Sequence, residues 1–182
     1  MVIRISTRFV PIHGHPVFSF LLPVNLATEK TSDSASQLPS IGWREWVTLG
    51  GLRIPRIKAK IDTGARSSSI HALDIETFDQ DGSPFVRFKV HPIQRSERRV
   101  IQCQSPVHDI RSVRSSSGEA SERIVIVTQL AWNRQRWPIE VTLADRTQMG
   151  FRMLIGREAL MDRLVVNVSR SFVGGVPKRK KR

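Results

Sequence analysis

The stretch that decides the fold is IKAKIDTGAR, residues 57–66. Apolar residues alternate with Lys58 and Lys60 as far as Ile61, and a period of two is typical of a half-buried strand. A turn of sequence Asp-Thr-Gly follows, which is common by itself because Asp accepts backbone N–H groups and Gly adopts positive φ angles. The stretch therefore predicts a strand that ends at Asp62, and any chemistry must be argued from its context.

Two hairpins are predicted from the same period of two. Residues 86–90 alternate after the turn signal Asp81-Gly82, which indicates a hairpin over residues 75–91. Residues 124–127 and 137–143 predict two strands that pair across a turn at residues 132–135. These patterns indicate a mostly β domain.

The other segments carry weaker patterns. Residues 94–123 are polar and charged, which predicts a mobile loop or the tip of a long hairpin. Only residues 157–161 resemble a short helix. We expect Trp43, Trp46 and Trp137 to pack in a core or an interface, as large aromatic side chains usually do in a small β domain.

Composition limits the class of protein. At 182 residues the chain has room for one domain with a core. Its single cysteine, Cys103, cannot form an intrachain disulfide, which favours a reducing compartment, and we expect a cytoplasmic location. No apolar run is long enough for a membrane-spanning helix. The formal net charge of +13 would attract polyanions such as nucleic acids and acidic peptides.

We expect three parts along the chain. Residues 1–40 include a Ser- and Thr-rich linker and are expected to be a disordered extension, or to result from a translation start assigned too early. Residues 41–174 are expected to form the folded domain. Residues 175–182 form a basic tail, and such tails are usually solvated segments.

A second motif supplies the context for the Asp-Thr-Gly turn. The segment LIGR at residues 154–157 lies far downstream, just where the short helix is predicted. This pair of motifs resembles that of retropepsin-like aspartic proteases, in which the two segments lie side by side. The resemblance covers most of the predicted domain and is closer to a bacterial family named ATP-dependent zinc protease, which is associated with ATP-grasp ligases that modify ribosomal proteins. The matching segments are residues 41–46, 57–66, 136–140 and 149–157.

The resemblance implies a fold and an assembly. The fold is a single closed β-barrel domain with one short helix and one Asp-Thr-Gly motif per chain. An aspartic protease needs two carboxylates that share a proton, because like charges about 3 Å apart cannot both ionise. A chain with one motif therefore needs a homodimer, in which each subunit contributes one Asp62 to a single site.

The resemblance also implies roles for individual residues. One Asp62 acts as general base on a bound water, while its protonated twin donates to the scissile carbonyl oxygen. Thr63 braces the two turns, and Gly64 exposes backbone N–H groups. Ala65 and Arg66 contact the substrate. The second motif supports the site, and its residues are Leu154, Ile155, Gly156 and Arg157.

Arg66 departs from the viral pattern, which carries a carboxylate directly after Asp-Thr-Gly-Ala. A cation at this position favours an acidic substrate. The alternative is a surface arginine paired with Glu76 or Asp74. The Gly-rich hairpin that covers the viral site is also missing, so residues 94–118 would have to close over the substrate.

Neither zinc nor ATP has a recognisable site in the sequence. There is no His-Glu-x-x-His motif, which would place two zinc ligands on one helix face. His71, His91, Cys103 and His108 could cluster, but isolated histidines are more often surface or core residues. A Gly-rich phosphate-binding loop is also missing. We therefore expect no cofactor, and any ATP dependence would belong to a partner.

Two functions remain open. The first is an aspartic endopeptidase, a hydrolase that acts as a homodimer on acidic or glutamate-extended peptides. The second is a non-catalytic adaptor or accessory subunit of an ATP-grasp ligase system. A nucleic-acid partner would account for the net charge, but we do not expect one, because the basic tail has no interleaved aromatic residues.

Overall fold

The computed structural model describes residues 38–114, 118 and 120–176. Most of the predicted extension and most of the predicted basic tail lie outside these residues. The described chain is almost entirely β-structure, with one short 3₁₀ helix at Arg157–Ala159. Its strands are β1 (Ser40–Gly42), β2 (Arg44–Leu49), β3 (Ile54–Asp62), β4 (Ser68–His71), β5 (Leu73–Gln80), β6 (Ser83–Val90), β7 (Ile101–Pro106), β8 (Asp109–Arg114), β9 (Ala120–Trp132), β10 (Gln135–Ala144), β11 (Met153–Gly156) and β12 (Val165–Asn167).

The largest sheet has seven strands in the order β10-β4-β11-β3-β2-β9-β8. Strand β10 also pairs with β9, so the pairings from β10 round to β9 form a ring, and β8 is attached to β9 outside it. A second sheet has the order β5-β6-β7, and β1 pairs with β12 in a third. The prediction of a mostly β fold is confirmed.

Parallel pairings join segments that are far apart in sequence. Strand β10 runs parallel to β4, and β11 runs parallel to β3. Parallel neighbours need a long crossover connection. The β11–β3 pairing places the two motifs singled out in the sequence, at residues 57–66 and 154–157, side by side.

One hydrophobic core serves the two larger sheets. Ile57, Ala59 and Ile61 of β3 are buried, whereas the lysines between them lie on the outer face. Val86 and Phe88 of β6 belong to the same buried cluster. The alternation in the sequence therefore reports the inner and outer faces of the strands directly.

Both predicted hairpins are confirmed. Strands β5 and β6 pair across Asp81 and Gly82, which have φ angles of 54° and 76°. Strands β9 and β10 pair across Asn133 and Arg134, with φ angles of 44° and 67°. Two positive φ angles in a two-residue loop are characteristic of the tight turns that suit the twist of paired strands.

The prediction of a mobile loop over residues 94–123 is wrong for most of its length. Strand β7 pairs with β6, and β8 pairs with the start of β9. The alternative, a long hairpin, describes β8 and β9 correctly. Both missed strands have few large apolar residues. Strand β7 buries mainly Cys103 and Ser105, and β8 lies at an edge of its sheet, where fewer apolar side chains are needed.

The tryptophans divide between core and surface. Trp137 is buried, and its Nε1 donates to the carbonyl of Ala159 at 2.8 Å. Trp43 and Trp46 are only partly buried. Trp132, which the sequence placed in a turn, is a buried residue at the end of β9.

Candidate functional site

Asp62 is the last residue of β3, and its carboxylate lies at a turn. The Ala65 N–H lies 3.2 Å from the Asp62 carbonyl oxygen and 3.3 Å from its Oδ1, and donates to both. Thr63 and Gly64 are exposed at the tip of this turn. About 29% of the Asp62 side chain is exposed, so the carboxylate is held in place yet accessible.

The second motif lies directly beside this turn. Gly156 is the parallel-strand neighbour of Asp62. The Arg157 N–H donates to the Ala65 carbonyl at 2.9 Å, and Arg157 Nη1 donates to the Gly64 carbonyl at 3.1 Å. The structure therefore brings residues 154–157 and the Asp-Thr-Gly-Ala turn into contact through one backbone and one side-chain hydrogen bond of Arg157.

Gly156 permits a close approach of two chain segments. A Cβ atom at this position would lie 2.5 Å from the Arg66 carbonyl oxygen and 2.5 Å from the carbonyl carbon of Ser67. The Gly156 N–H also donates to Ser68 Oγ at 3.2 Å. Any side chain here would push the segment after the turn away from β11.

Arg66 has a partner that the sequence did not indicate. Its Nε lies 2.7 Å from Glu158 Oε1, and about 72% of its side chain is exposed. The predicted pairing with Glu76 or Asp74 is wrong, because those carboxylates bind Arg87 and Lys89 in the other sheet. The 3₁₀ helix after Gly156 carries Glu158 to this position, so the Arg66 charge is already partly compensated within the chain.

A cavity of about 380 Å³ lies beside Arg66. Besides Arg66 and Glu158, its charged lining residues are Arg111 and Glu140. Arg111 Nη1 donates to Glu140 Oε2 at 2.5 Å, and this contact lowers the pKa of Glu140. The cavity thus carries two ion pairs and little net charge.

Sequence reasoning missed two cations on the face of β2 and β3 that carries Asp62. Lys60 Nζ lies 3.5 Å from Asp62 Oδ2, on the same face of β3. Arg44 of β2 is the cross-strand neighbour of Lys60. Alternation along β3 already indicated the position of Lys60, whereas the position of Arg44 depends on a strand register that the sequence does not reveal.

A third missed cation is Arg146, which is buried after β10. Its Nε donates to the Phe151 carbonyl at 3.2 Å. Burial and the charge of Arg123 lower the pKa of Arg146, and the charge of Asp62 opposes that shift. The charge of Arg146 therefore acts on Asp62 in addition to that of Lys60.

Within the described residues, His71, His91, Cys103 and His108 do not group into a zinc site. The Nδ1 atom of His71 accepts the backbone N–H of Arg146 at 2.9 Å, and His108 Nε2 lies 3.3 Å from Glu140 Oε1. Burial raises the pKa of the Cys103 thiol to about 11, which disfavours the thiolate that zinc requires. Among residues 38–114, 118 and 120–176, no three His, Cys, Asp or Glu side chains are grouped closely enough to hold a metal ion. The His, Cys, Asp and Glu side chains of the described residues therefore do not fit zinc.

The described helices give no sign of a membrane span, since none has the length and apolar character required to cross a bilayer.

Comparison with known proteins identifies relatives that are named probable alpha-L-glutamate ligases. The chain is 51% identical over 127 residues to a probable alpha-L-glutamate ligase of Desulfotalea psychrophila, which covers 70% of this chain and 27% of that protein. A probable alpha-L-glutamate ligase of Shewanella pealeana is 44% identical over 135 residues, or 74% of this chain and 30% of that protein. The chain thus spans less than a third of the length of these curated relatives.

A solved structure has the same fold. A crystal structure of a protein of unknown function from Legionella pneumophila superposes with a TM-score of 0.64 at 24% identity, covering 75% of this chain and 98% of that one. The model of the RimB-like family, described as retropepsin-like aspartic endopeptidase RimB, matches residues 40–177. The chain therefore belongs to the RimB-like family of retropepsin-like aspartic endopeptidases.

Proposed function

We propose that this chain is an aspartic endopeptidase whose active site forms in a two-fold symmetric homodimer, with Asp62 contributed by each subunit. The observation that carries the proposal is the Asp62 turn, in which the Ala65 N–H holds an accessible carboxylate at the end of a buried strand and Arg157 holds the turn through the Ala65 carbonyl. The family match supports the same chemistry. In this proposal the ring of strand pairings is the closed barrel of a retropepsin, and the domain spans residues 41–174.

The dimer is needed because one chain offers one such carboxylate. Two copies of Asp62 on a two-fold axis would share a proton, since both cannot remain charged at contact distance. The ionised copy takes a proton from a bound water, which attacks the scissile carbonyl carbon. The protonated copy donates a hydrogen bond to the carbonyl oxygen, where negative charge develops.

The exposed tip of the turn supports this assembly. Thr63 and Gly64 are both accessible, and no hydrogen bond of the Thr63 hydroxyl is found within the described part of the chain. A second copy of the turn would give that hydroxyl a partner, and Gly64 lets the two backbones approach. Ala65 and Arg66 then border the bound peptide.

We further propose acidic or glutamate-extended peptides as substrates. The net charge of +13 and the cations around Asp62 favour carboxylate-rich chains. Relatives that contain a segment similar to this chain are named probable alpha-L-glutamate ligases, which supports glutamate-containing peptides as substrates. A cytoplasmic location is proposed because the single cysteine forms no disulfide.

The direct test is peptide hydrolysis by the wild-type protein and by Asp62→Asn, from about pH 4 to 8, with and without a metal chelator. We expect activity that survives chelation and is lost in Asp62→Asn. The matched control is Asp81→Asn, which makes the same exchange in the β5–β6 turn, where Asn tolerates the φ angle of 54°. Activity that persists in Asp62→Asn, or that the chelator removes, would contradict the proposal.

The second candidate is an accessory subunit of an ATP-grasp ligase system. The observation that favours it is that the chain matches less than a third of each of the ligase-named relatives, so a related segment is joined there to a larger protein. This role predicts a stable complex with such a ligase that Asp62→Asn leaves intact. Co-elution of the two purified proteins tests it, and failure to co-elute would count against it.

A further inference from the structure

Lys60 and Arg44 form a pair of cations on the face of β2 and β3 that also carries Asp62. The two residues face each other across β2 and β3, and directly opposed residues in an antiparallel pair point to the same face. Lys60 lies on the face that also carries Asp62, and 47% of its side chain is exposed. The outer face of this strand pair therefore carries Lys60 at the Asp62 carboxylate and Arg44 directly across the strand pair from Lys60.

Within the described chain, the ion pairs give these two cations a single carboxylate partner. Arg44 donates from Nε to Ser171 Oγ at 3.1 Å and lies over the rings of Trp43 and Phe172, at 4.5 and 5.1 Å. None of the carboxylates in the described chain forms an ion pair with it. Of the carboxylates in the described residues, Asp62 alone contacts Lys60, at 3.5 Å.

Two neighbouring cations have other contacts. Arg66 contacts Glu158, and Lys58 lies over the rings of Trp46 and Phe172. Two like charges directly opposite each other on a sheet are unfavourable, and Asp62 contacts only Lys60 of this pair, so a further anion between positions 44 and 60 would be favourable. A site that attracts an anion is thus built next to Asp62.

We propose that Lys60, with Arg44, binds the carboxylate of the substrate residue next to the scissile bond. The inference rests on the proposed peptidase function and adds the residues that select its substrates. Asp62 must lie within hydrogen-bond reach of the attacking water. A side chain that flanks the cleaved bond therefore passes Lys60, and a glutamate or aspartate there gains a contact that a glutamine or asparagine does not.

The assignment differs from the expectation for Arg66. Arg66 is highly exposed and shares its charge with Glu158, so a substrate carboxylate would have to compete with an existing ion pair. To contact a substrate carboxylate, the Lys60 side chain needs only to turn away from Asp62. In the active dimer Asp62 shares a proton with its twin, which weakens its hold on Lys60. Arg44 is fixed in place by Ser171 and two aromatic rings and has less side-chain freedom to lose on binding.

Cleavage of matched peptides tests the inference. Two peptides that differ only by Glu or Gln next to the cleaved bond are compared for the wild type, Lys60→Met, Lys60→Arg and Lys89→Met. We expect the ratio of kcat/KM for Glu over Gln to be about tenfold in the wild type, as for a partly exposed charged hydrogen bond. The ratio should fall towards one in Lys60→Met, recover in Lys60→Arg, and remain unchanged in Lys89→Met, which removes a lysine paired with Asp74 in the other sheet.

Binding separates a failure of this inference from a failure of the proposed activity. The same two peptides, carrying a fluorophore, are titrated by anisotropy into Asp62→Asn and into Asp62→Asn combined with Lys60→Met. The Glu peptide should bind more tightly than the Gln peptide only when Lys60 is present, and the difference should shrink as salt is added. Equal binding of the two peptides, or a preference that survives Lys60→Met, overturns the inference whether or not the wild type cleaves either peptide.

Discussion

At the scale of single residues, Gly156 controls the contact between the Asp62 turn and β11. The Cβ of Gly156→Ala would lie 2.5 Å from backbone atoms of Arg66 and Ser67, so one of the two segments must move. We expect a loss of about 1–3 kcal/mol in the free energy of unfolding, together with a large loss of peptidase activity. Denaturant unfolding and hydrolysis measure the two effects. Gly150→Ala is the control, because its Cβ meets no atom within 4 Å, and equal effects in both variants would contradict the account.

His71 predicts a pH dependence of stability. Burial lowers its pKa from 6.5, with Arg152 and His91 acting in the same direction and Asp145 opposing them. The unfolded chain then binds a proton more readily than the folded chain, so stability is complete above about pH 6.5 and falls as the pH falls below that value. In His71→Asn, which keeps an acceptor for the Arg146 N–H but cannot titrate, this fall should be smaller. Equal pH profiles of unfolding for the two proteins would show that His71 does not carry the effect.

How much of the site was predictable depends on the residue. Asp62 was identified from a strand pattern together with a motif, and its contact with Gly156 was expected only from the family resemblance. The partner of Arg66 was missed because Glu158 lies on a distant segment, and no local pattern reports such a pairing. Alternation along β3 identified Lys60 as an outward residue two positions before Asp62. Its pairing with Arg44 of β2 depends on the strand register, which the sequence does not reveal.

At the scale of elements, Glu45 joins β2 to the C-terminal part of the described chain. Its buried carboxylate accepts the backbone N–H groups of Gly42, Val173 and Gly174 and the indole N–H of Trp132. Glu45→Ala would leave these donors without an acceptor, and each buried unsatisfied donor costs about 1–3 kcal/mol. We expect a loss of at least about 3 kcal/mol in the free energy of unfolding.

Limited proteolysis adds a second measurement for Glu45→Ala, since cleavage near residues 170–176 should become faster. The control is Glu76→Ala, which removes an exposed partner of Arg87 and should cost less than about 1 kcal/mol. A similar cost for the two variants would mean that Glu45 does not fix the segment.

The elements also show where sequence patterns succeed. The two predicted hairpins combine alternating apolar residues with a short turn, and both signals are local. Strands β7 and β8 were missed because neither offers a row of large apolar side chains. The parallel pairs β3–β11 and β4–β10 depend on contacts between distant segments, which periodicity in one sequence does not specify.

At the scale of the whole molecule, the Cys103 thiol reports global unfolding. It is buried in the shared core, and burial raises its pKa from 9.0 to about 11. At a given pH the folded protein thus holds about a hundredfold less thiolate than the free thiol would. We expect a thiol reagent at about pH 8 to modify native protein far more slowly than denatured protein. Equal rates in the two states would contradict a buried thiol.

The most direct test of the central claim mixes wild-type subunits with Asp62→Asn subunits at constant total concentration. If each site needs one Asp62 from each of two subunits, a mixed dimer is inactive, and activity falls as the square of the wild-type fraction. Equimolar mixing should then leave about a quarter of the activity, provided that subunits exchange freely. A linear fall, with about half of the activity remaining after exchange is complete, would show that one chain carries a whole site and would contradict the account.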